Sequence, residues 1–84
     1  MKAFIFYYHM KEDAELIRDT AAEHADYWKD RKILGGSFCD FSGGFILFKA
    51  QDLREAQLMI HQDAFLEEGA IKDFELKEWK MDQN

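Results

Sequence analysis

The chain has 84 residues, a formal charge of −6 and one cysteine, Cys39. That length fits a single domain over residues 1–80. The acidic balance argues against a nucleic-acid surface or an anionic membrane surface, and a lone cysteine excludes an intrachain disulfide framework and fits a reducing, cytoplasmic setting.

Residues 3–8, Ala-Phe-Ile-Phe-Tyr-Tyr, read as a strand. Phe4, Phe6 and Tyr8 face one way; Ala3, Ile5 and Tyr7 face the other. Apolar character on both sides predicts a central strand covered on both faces. The run is too short for a signal-peptide core or a transmembrane helix. A polar connection, His9 to Glu12, leads into a long amphipathic helix expected over about 13–34. Acidic Glu12, Asp13 and Glu15 stand at its start and basic Lys29, Arg31 and Lys32 near its end, both suited to the helix dipole. Gly35 is the expected left-handed residue that ends it.

A second strand is predicted over 36–41, with Phe38 and Asp40 on one face and Ser37, Cys39 and Phe41 on the other. Ser42-Gly43-Gly44 is expected to reverse the chain. Phe45 to Phe48 forms a third strand, apolar on both faces. Asp52 and Glu55 make a capping-box-like start to a second helix that runs to about His61. Its apolar side is Leu53, Ala56, Met59 and Ile60. A short turn from Gln62 to Gly69 leads to a fourth strand over 70–80. There Phe74 and Leu76 alternate with Asp73, Glu75 and Lys77, as on an edge. Met81 to Asn84 are expected to fray.

The order is βαββαβ, and the predicted fold is an α+β ferredoxin-like sandwich with both helices on one face of a four-stranded antiparallel sheet. The opposite face is left bare and apolar. A chain this small buries only about 60–65% of its unfolded surface, yet it carries eight phenylalanines, three tyrosines and two tryptophans. A homodimer joined through the sheet faces is the simplest cover for that face. The same aromatics on Tyr7, Tyr8 and Phe45 could suggest an RNA-stacking sheet, but the acidic charge and the absence of basic residues on those strands argue against it.

One residue of the long helix interrupts its apolar stripe. At 100° per residue, Ile17, Ala21, His24 and Trp28 fall within roughly a 60° arc. Ala14, Ala25 and Lys32 flank the arc on one side, Thr20 and Arg31 on the other. His24 therefore points at whatever the helix covers. It is either a core histidine bonded to a backbone carbonyl or a general acid/base, since imidazole titrates near neutral pH. The three histidines, His9, His24 and His61, lack metal-ligand spacing, and no HExxH or CxxC occurs, so no metal site is expected. Cys39 has no cationic neighbour in sequence and reads as a small buried hydrophobe rather than a nucleophile. The Gly35-Gly36 and Gly43-Gly44 pairs fit turns and match no phosphate-binding pattern.

His24-x-x-Tyr27-Trp28, Gly36-Ser-Phe-x-Asp40-x-x-Gly43-Gly44, Leu53-Arg-Glu-Ala56, Asp63-Ala-Phe65-x-x-x-Gly69 and Trp79 together resemble the YciI-like (YCII-related) proteins. The resemblance runs from about residue 18 to residue 80. It implies a dimeric α+β barrel, a cytoplasmic location and an active site built on a paired His and Asp. Some members resemble cofactor-free enzymes acting on small organic molecules, including ring compounds. By motif match the pair is His24 and Asp63. Ser37 and Ala64 stand where the family usually has Pro. Ala21 stands where many relatives carry Arg, with Arg18 one turn earlier. These departures bear on the anion-holding part of any shared mechanism and leave the pair itself intact.

The topology allows His24 and Asp63 to meet without requiring it. If they do, the carboxylate orients the imidazole and raises its basicity; alone, Asp63 is a cap or turn residue. Tyr27, Ser37 and Asp40 are candidate substrate-binding residues, each with ordinary surface or strand polarity as its plain alternative. Three functions follow: a cofactor-free acid/base enzyme on a small organic substrate, a non-catalytic small-molecule-binding or sensing module, or a structural dimerisation domain.

Overall fold

The computed structural model describes residues 1–81. Its elements are β1 (Lys2–Met10), α1 (Ala14–Lys29), β2 (Lys32–Ser37), β3 (Gly43–Ala50), α2 (Leu53–His61), α3 (Ala64–Glu67) and β4 (Ile71–Trp79). The four strands form one antiparallel sheet in the order β2-β3-β1-β4. This is the ferredoxin-like α+β arrangement expected from the element order, with β1 inside the sheet and β4 at its edge.

The alternation along β1 decides which face meets the helices. Phe4, Phe6 and Tyr8 are fully buried, and the antiparallel register sets them beside Phe48, Ile46 and Gly44 of β3 on the same face. Trp28 of α1 packs on this surface, its ring centroid 6.2 Å from Phe6 and 5.1 Å from Phe48. Ala56 and Ile60 of α2 join the same core. On α1 the buried residues are Thr20, His24 and Trp28, with Ile17 and Ala21 packed against the core from the side. Thr20 was expected only on the flank; its hydroxyl satisfies itself by donating to the Leu16 carbonyl at 2.8 Å. Leu53 does not join the apolar side of α2 and is exposed.

The sheet's other face carries no helix. Register places Ile5 and Tyr7 of β1, Phe45 and Leu47 of β3, Leu34 of β2 and Trp79 of β4 there together, with Glu75 and Lys77 of β4 on the same face.

The first helix and second strand depart from expectation. α1 begins where predicted, capped by Asp13, whose side chain accepts from the Leu16 N–H at 3.1 Å. It ends at Lys29 rather than near Leu34, where the Arg31 N–H turns back to the Trp28 carbonyl at 3.0 Å. Residues 32–37 then form β2, shifted four residues earlier than expected at its start. Strand pairing wins because it satisfies the backbone along β3, with Leu34 opposite Leu47 and Gly36 opposite Phe45, whereas helix propensity is a weak preference that tertiary contacts override. Gly35 has the positive φ expected of it, 124°, but inside the strand. A Cβ there would collide with the Phe45 carbonyl oxygen.

The reversal also moves. Gly43 and Gly44 open β3 instead of turning the chain. The turn is Phe38 to Ser42, closed by the Phe38 N–H on the Gly43 carbonyl at 2.8 Å. Asp40 shapes it by accepting from the Ser42 N–H at 3.0 Å and the Ser42 hydroxyl at 2.6 Å, an Asx-type turn. Phe41 takes the left-handed position, φ 61°, at its tip. The turn expected after the second helix contains the short helix α3, capped by Asp63. Of the tail expected to fray, Met81 is exposed, and residues 82–84 lie outside the described residues. Among the described residues no helix is long and apolar enough to cross a membrane.

Candidate active site

α3 is where the second half of the chain reaches the first. Asp63, the N-cap of α3, is fully buried. Its Oδ1 accepts from the Phe65 N–H at 3.0 Å, the local bond that starts the helix. The same oxygen lies 2.7 Å from Nδ1 of His24, 39 positions away in sequence. The two residues singled out by motif are thus in contact, in a buried ion-pair geometry.

A carboxylate only accepts, so Nδ1 carries the hydrogen, and in the neutral ring Nε2 presents its lone pair. Nε2 is not free: the Tyr8 hydroxyl stands 3.1 Å from it and donates to it. Phe65 covers one face of the imidazole, with ring centroids 3.9 Å apart and planes 14° from parallel. His24 is therefore held at both nitrogens and on one face, and is 5% exposed. Asp63 Oδ2 is buried and has no hydrogen-bond partner among the described residues.

Tyr8 is the member that sequence reasoning missed. The signal was present: Phe4, Phe6 and Tyr8 share the inner face of β1, and only the last carries a hydroxyl. Gly44 beside it on β3 makes room, since a Cβ there would overlap the Tyr8 hydroxyl. Burial pushes the Tyr8 pKa up to about 12; the Ser37 side chain opposes this and the Asp63 charge adds to it. The phenol therefore stays protonated at neutral pH and remains a donor.

A cleft of about 840 Å³ opens in front of this group. Phe65, which covers His24, forms part of its wall, with Met10, Ala14, Ile17 and Ala21 as further apolar lining. Ser37, Asp40 and Phe41 line its other side, and its rim carries both signs of charge, Lys11 and Arg18 against Glu12 and Asp13. Of the three sequence candidates for substrate contact, Ser37 and Asp40 thus reach the cleft. The Ser42 hydrogen bonds hold the exposed Asp40 carboxyl below the usual carboxylate range. Tyr27 stands elsewhere: its hydroxyl donates to the Met59 carbonyl at 2.6 Å, tying α1 to α2. Burial raises its pKa, the nearby Arg31 guanidinium works against that rise, and the Asp63 charge adds to it.

The other histidines lie apart. His9 pairs with Asp73 at 2.7 Å on an exposed part of the sheet, and His61 closes α2 with its ring 6.3 Å from Phe74. Cys39, expected to be buried, is an exposed free thiol in the 38–42 turn, because the strand that would have covered it ends at Ser37.

A comparison with curated proteins finds no match. Among solved structures, the chain is similar to the 5-chloro-2-hydroxyhydroquinone dehydrochlorinase of Burkholderia phenoliruptrix AC1100, in complex with 2,5-dihydroxybenzoquinone. The TM-score is 0.82 over 93% of each chain, at 21% identity. At that identity the likeness is one of fold. The family comparison reaches further, because the YCII-related domain matches residues 1–80, and the chain belongs to that family.

Proposed function

We propose that this protein is a cofactor-free enzyme that uses His24 and Asp63 for acid/base chemistry on a small organic substrate held in the adjoining cleft. The observation that carries the reading is the 2.7 Å contact between a buried imidazole and a fully buried carboxylate. Burying an ionised carboxylate is expensive, and leaving Oδ2 unpartnered adds to that cost. Capping a four-residue helix needs only a serine or asparagine. A charged cap pressed against an imidazole is what base–orienter chemistry needs. The apolar wall suits a ring or short hydrocarbon frame, and Ser37 and Asp40 suit its polar substituents. The folded likeness to an enzyme in complex with a dihydroxybenzoquinone supports a compact hydroxylated ring as the first substrate to try.

A second reading is a binding or sensing module with the same cleft. It is favoured by the occupation of both His24 nitrogens and by the ring's 5% exposure. The test is turnover of 5-chloro-2-hydroxyhydroquinone and binding of 2,5-dihydroxybenzoquinone, in the native protein and in His24→Ala. Turnover that disappears in the variant, with its circular dichroism unchanged, supports the enzyme. Equal turnover in both removes His24 from the chemistry, and binding without turnover favours the module.

The reading extends to assembly and place. The bare sheet face, apolar along β1 and β3, supports a homodimer closed sheet to sheet. The exposed free thiol of Cys39 supports a reducing, cytoplasmic setting.

A further inference from the structure

We infer that Tyr8 is the proton port of the buried pair: protons reach and leave His24 Nε2 through the Tyr8 hydroxyl, with Ser37 linking that hydroxyl to the cleft. The inference rests on the acid/base reading above and adds to it the route by which the base is used.

The route follows from what closes the others. Nδ1 is engaged by Asp63, Phe65 lies flat on one ring face, and Nε2 has the Tyr8 oxygen 3.1 Å away. None of His24, Asp63 and Tyr8 lines the cleft, whereas Ser37 does, so the last step to the cleft falls to Ser37. Tyr8, Gly44 and Ser37 occupy one row across β1, β3 and β2, on the face that meets the helices. Because Gly44 has no side chain, the Tyr8 phenol lies over it, on the row that continues to Ser37. Three strands thus contribute a hydroxyl, a gap and a hydroxyl, in line from the imidazole to the cleft.

The transfer balances without a further reactant. An acidic group in the cleft gives its proton to the Ser37 hydroxyl, which passes its own to the phenol oxygen as the phenol gives its proton to Nε2. The phenol is neutral before and after. His24 becomes imidazolium, held by Asp63, and the substrate is left as its conjugate base. Running backwards, the same path protonates the product. A phenol whose pKa is raised to about 12 carries protons in this way without dwelling as an anion.

A lid and a port have opposite consequences when the hydroxyl is removed. If Tyr8 only covers Nε2, Tyr8→Phe leaves the imidazole exchanging protons as fast as before, or faster. If Tyr8 carries the proton, Tyr8→Phe slows that exchange. The experiment follows 15N line shapes of His24 across pH in the native protein, Tyr8→Phe and Ser37→Ala, which gives the rate at which the ring gains and loses its proton. The expected result is at least a ten-fold slowing in Tyr8→Phe and a smaller slowing in Ser37→Ala. An unchanged or faster rate in both variants overturns the proposal, as does a His24 ring that takes up no proton at any pH where the fold persists. Ser37→Ala keeps the test decisive if Tyr8→Phe does not fold. No substrate is needed, so failure of the port and failure of the enzymatic reading are told apart.

Discussion

The Phe65 ring lies on the His24 imidazole with centroids 3.9 Å apart and planes 14° from parallel, while the Phe65 backbone N–H bonds the carboxylate that holds the same imidazole. One short helix, α3, therefore supplies both the partner and the cover of the candidate base. Phe65→Ala removes a 3%-exposed ring and opens the imidazole to the cleft. Truncation of a buried Phe costs about 3–5 kcal/mol, a large share of the stability of so small a domain. Phe65→Leu keeps more of the volume and is expected to cost less. The measurement is the urea midpoint together with the His24 ring-proton shift, which should move downfield as the stacked ring is lost.

Asp63→Ala breaks two bonds at once, the α3 cap and the anchor of His24 Nδ1. Loss of a cap costs about 1 kcal/mol, and an unsatisfied buried donor roughly 1–3 kcal/mol more. The sum predicts roughly 2–4 kcal/mol of destabilisation, seen as a lower denaturant midpoint. His24→Phe removes the donor along with the bond, so the double variant should be less destabilised than the sum of the two singles.

Much of this was legible in the chain. The two-sided apolar pattern of β1, the Asp52 cap and the polar alternation of β4 determined the order and faces of the sheet. The helical period placed His24 inward before any fold was known. What failed was local. Residues 30–35 continue the helical charge pattern, but Lys32 and Leu34 pair with β3, a long-range contact that no window of sequence contains. The Gly43-Gly44 pair looked like a turn because glycines usually mark one; here Gly44 is small because Tyr8 fills the space above it. Tyr8 was counted as one more aromatic of a strand, since a hydroxyl's role depends on the imidazole across from it. The cleft itself was not legible, because Ser37, Asp40 and Phe41 reach it only through the shifted β2 and the turn that follows.

The bare sheet face makes its own prediction. Tyr7 lies at its centre, between Phe45 of β3 and Glu75 of β4. Tyr7→Lys sets a positive charge there. Within one chain the lysine has Glu75 beside it, so the fold should persist, as circular dichroism would report. Across a sheet-to-sheet dimer the change replaces a half-buried ring by a charge that lies near its own copy. Sedimentation velocity at micromolar concentration should show a dimer for the native protein and a monomer for Tyr7→Lys. A native protein that sediments as a monomer would leave that face without its proposed cover.

The Tyr8 phenol predicts how stability changes in alkali. Its pKa rises from 10.0 in the open chain to about 12 when folded, chiefly through burial. The folded state thus holds the proton more tightly than the unfolded state. Its contribution is complete below about pH 10 and is lost as pH rises through about 12. A two-unit shift corresponds to roughly 2–3 kcal/mol. Tyr27, also raised by burial, acts in the same direction, so the slope of the native protein alone does not isolate Tyr8. The comparison with Tyr8→Phe does, because that variant keeps Tyr27 and lacks only the Tyr8 proton. Urea unfolding at about pH 9 and again near pH 11.5 should show the native protein losing more stability than the variant over that interval. Equal losses would mean that the phenol reaches solvent and does not sit sealed between His24 and Gly44.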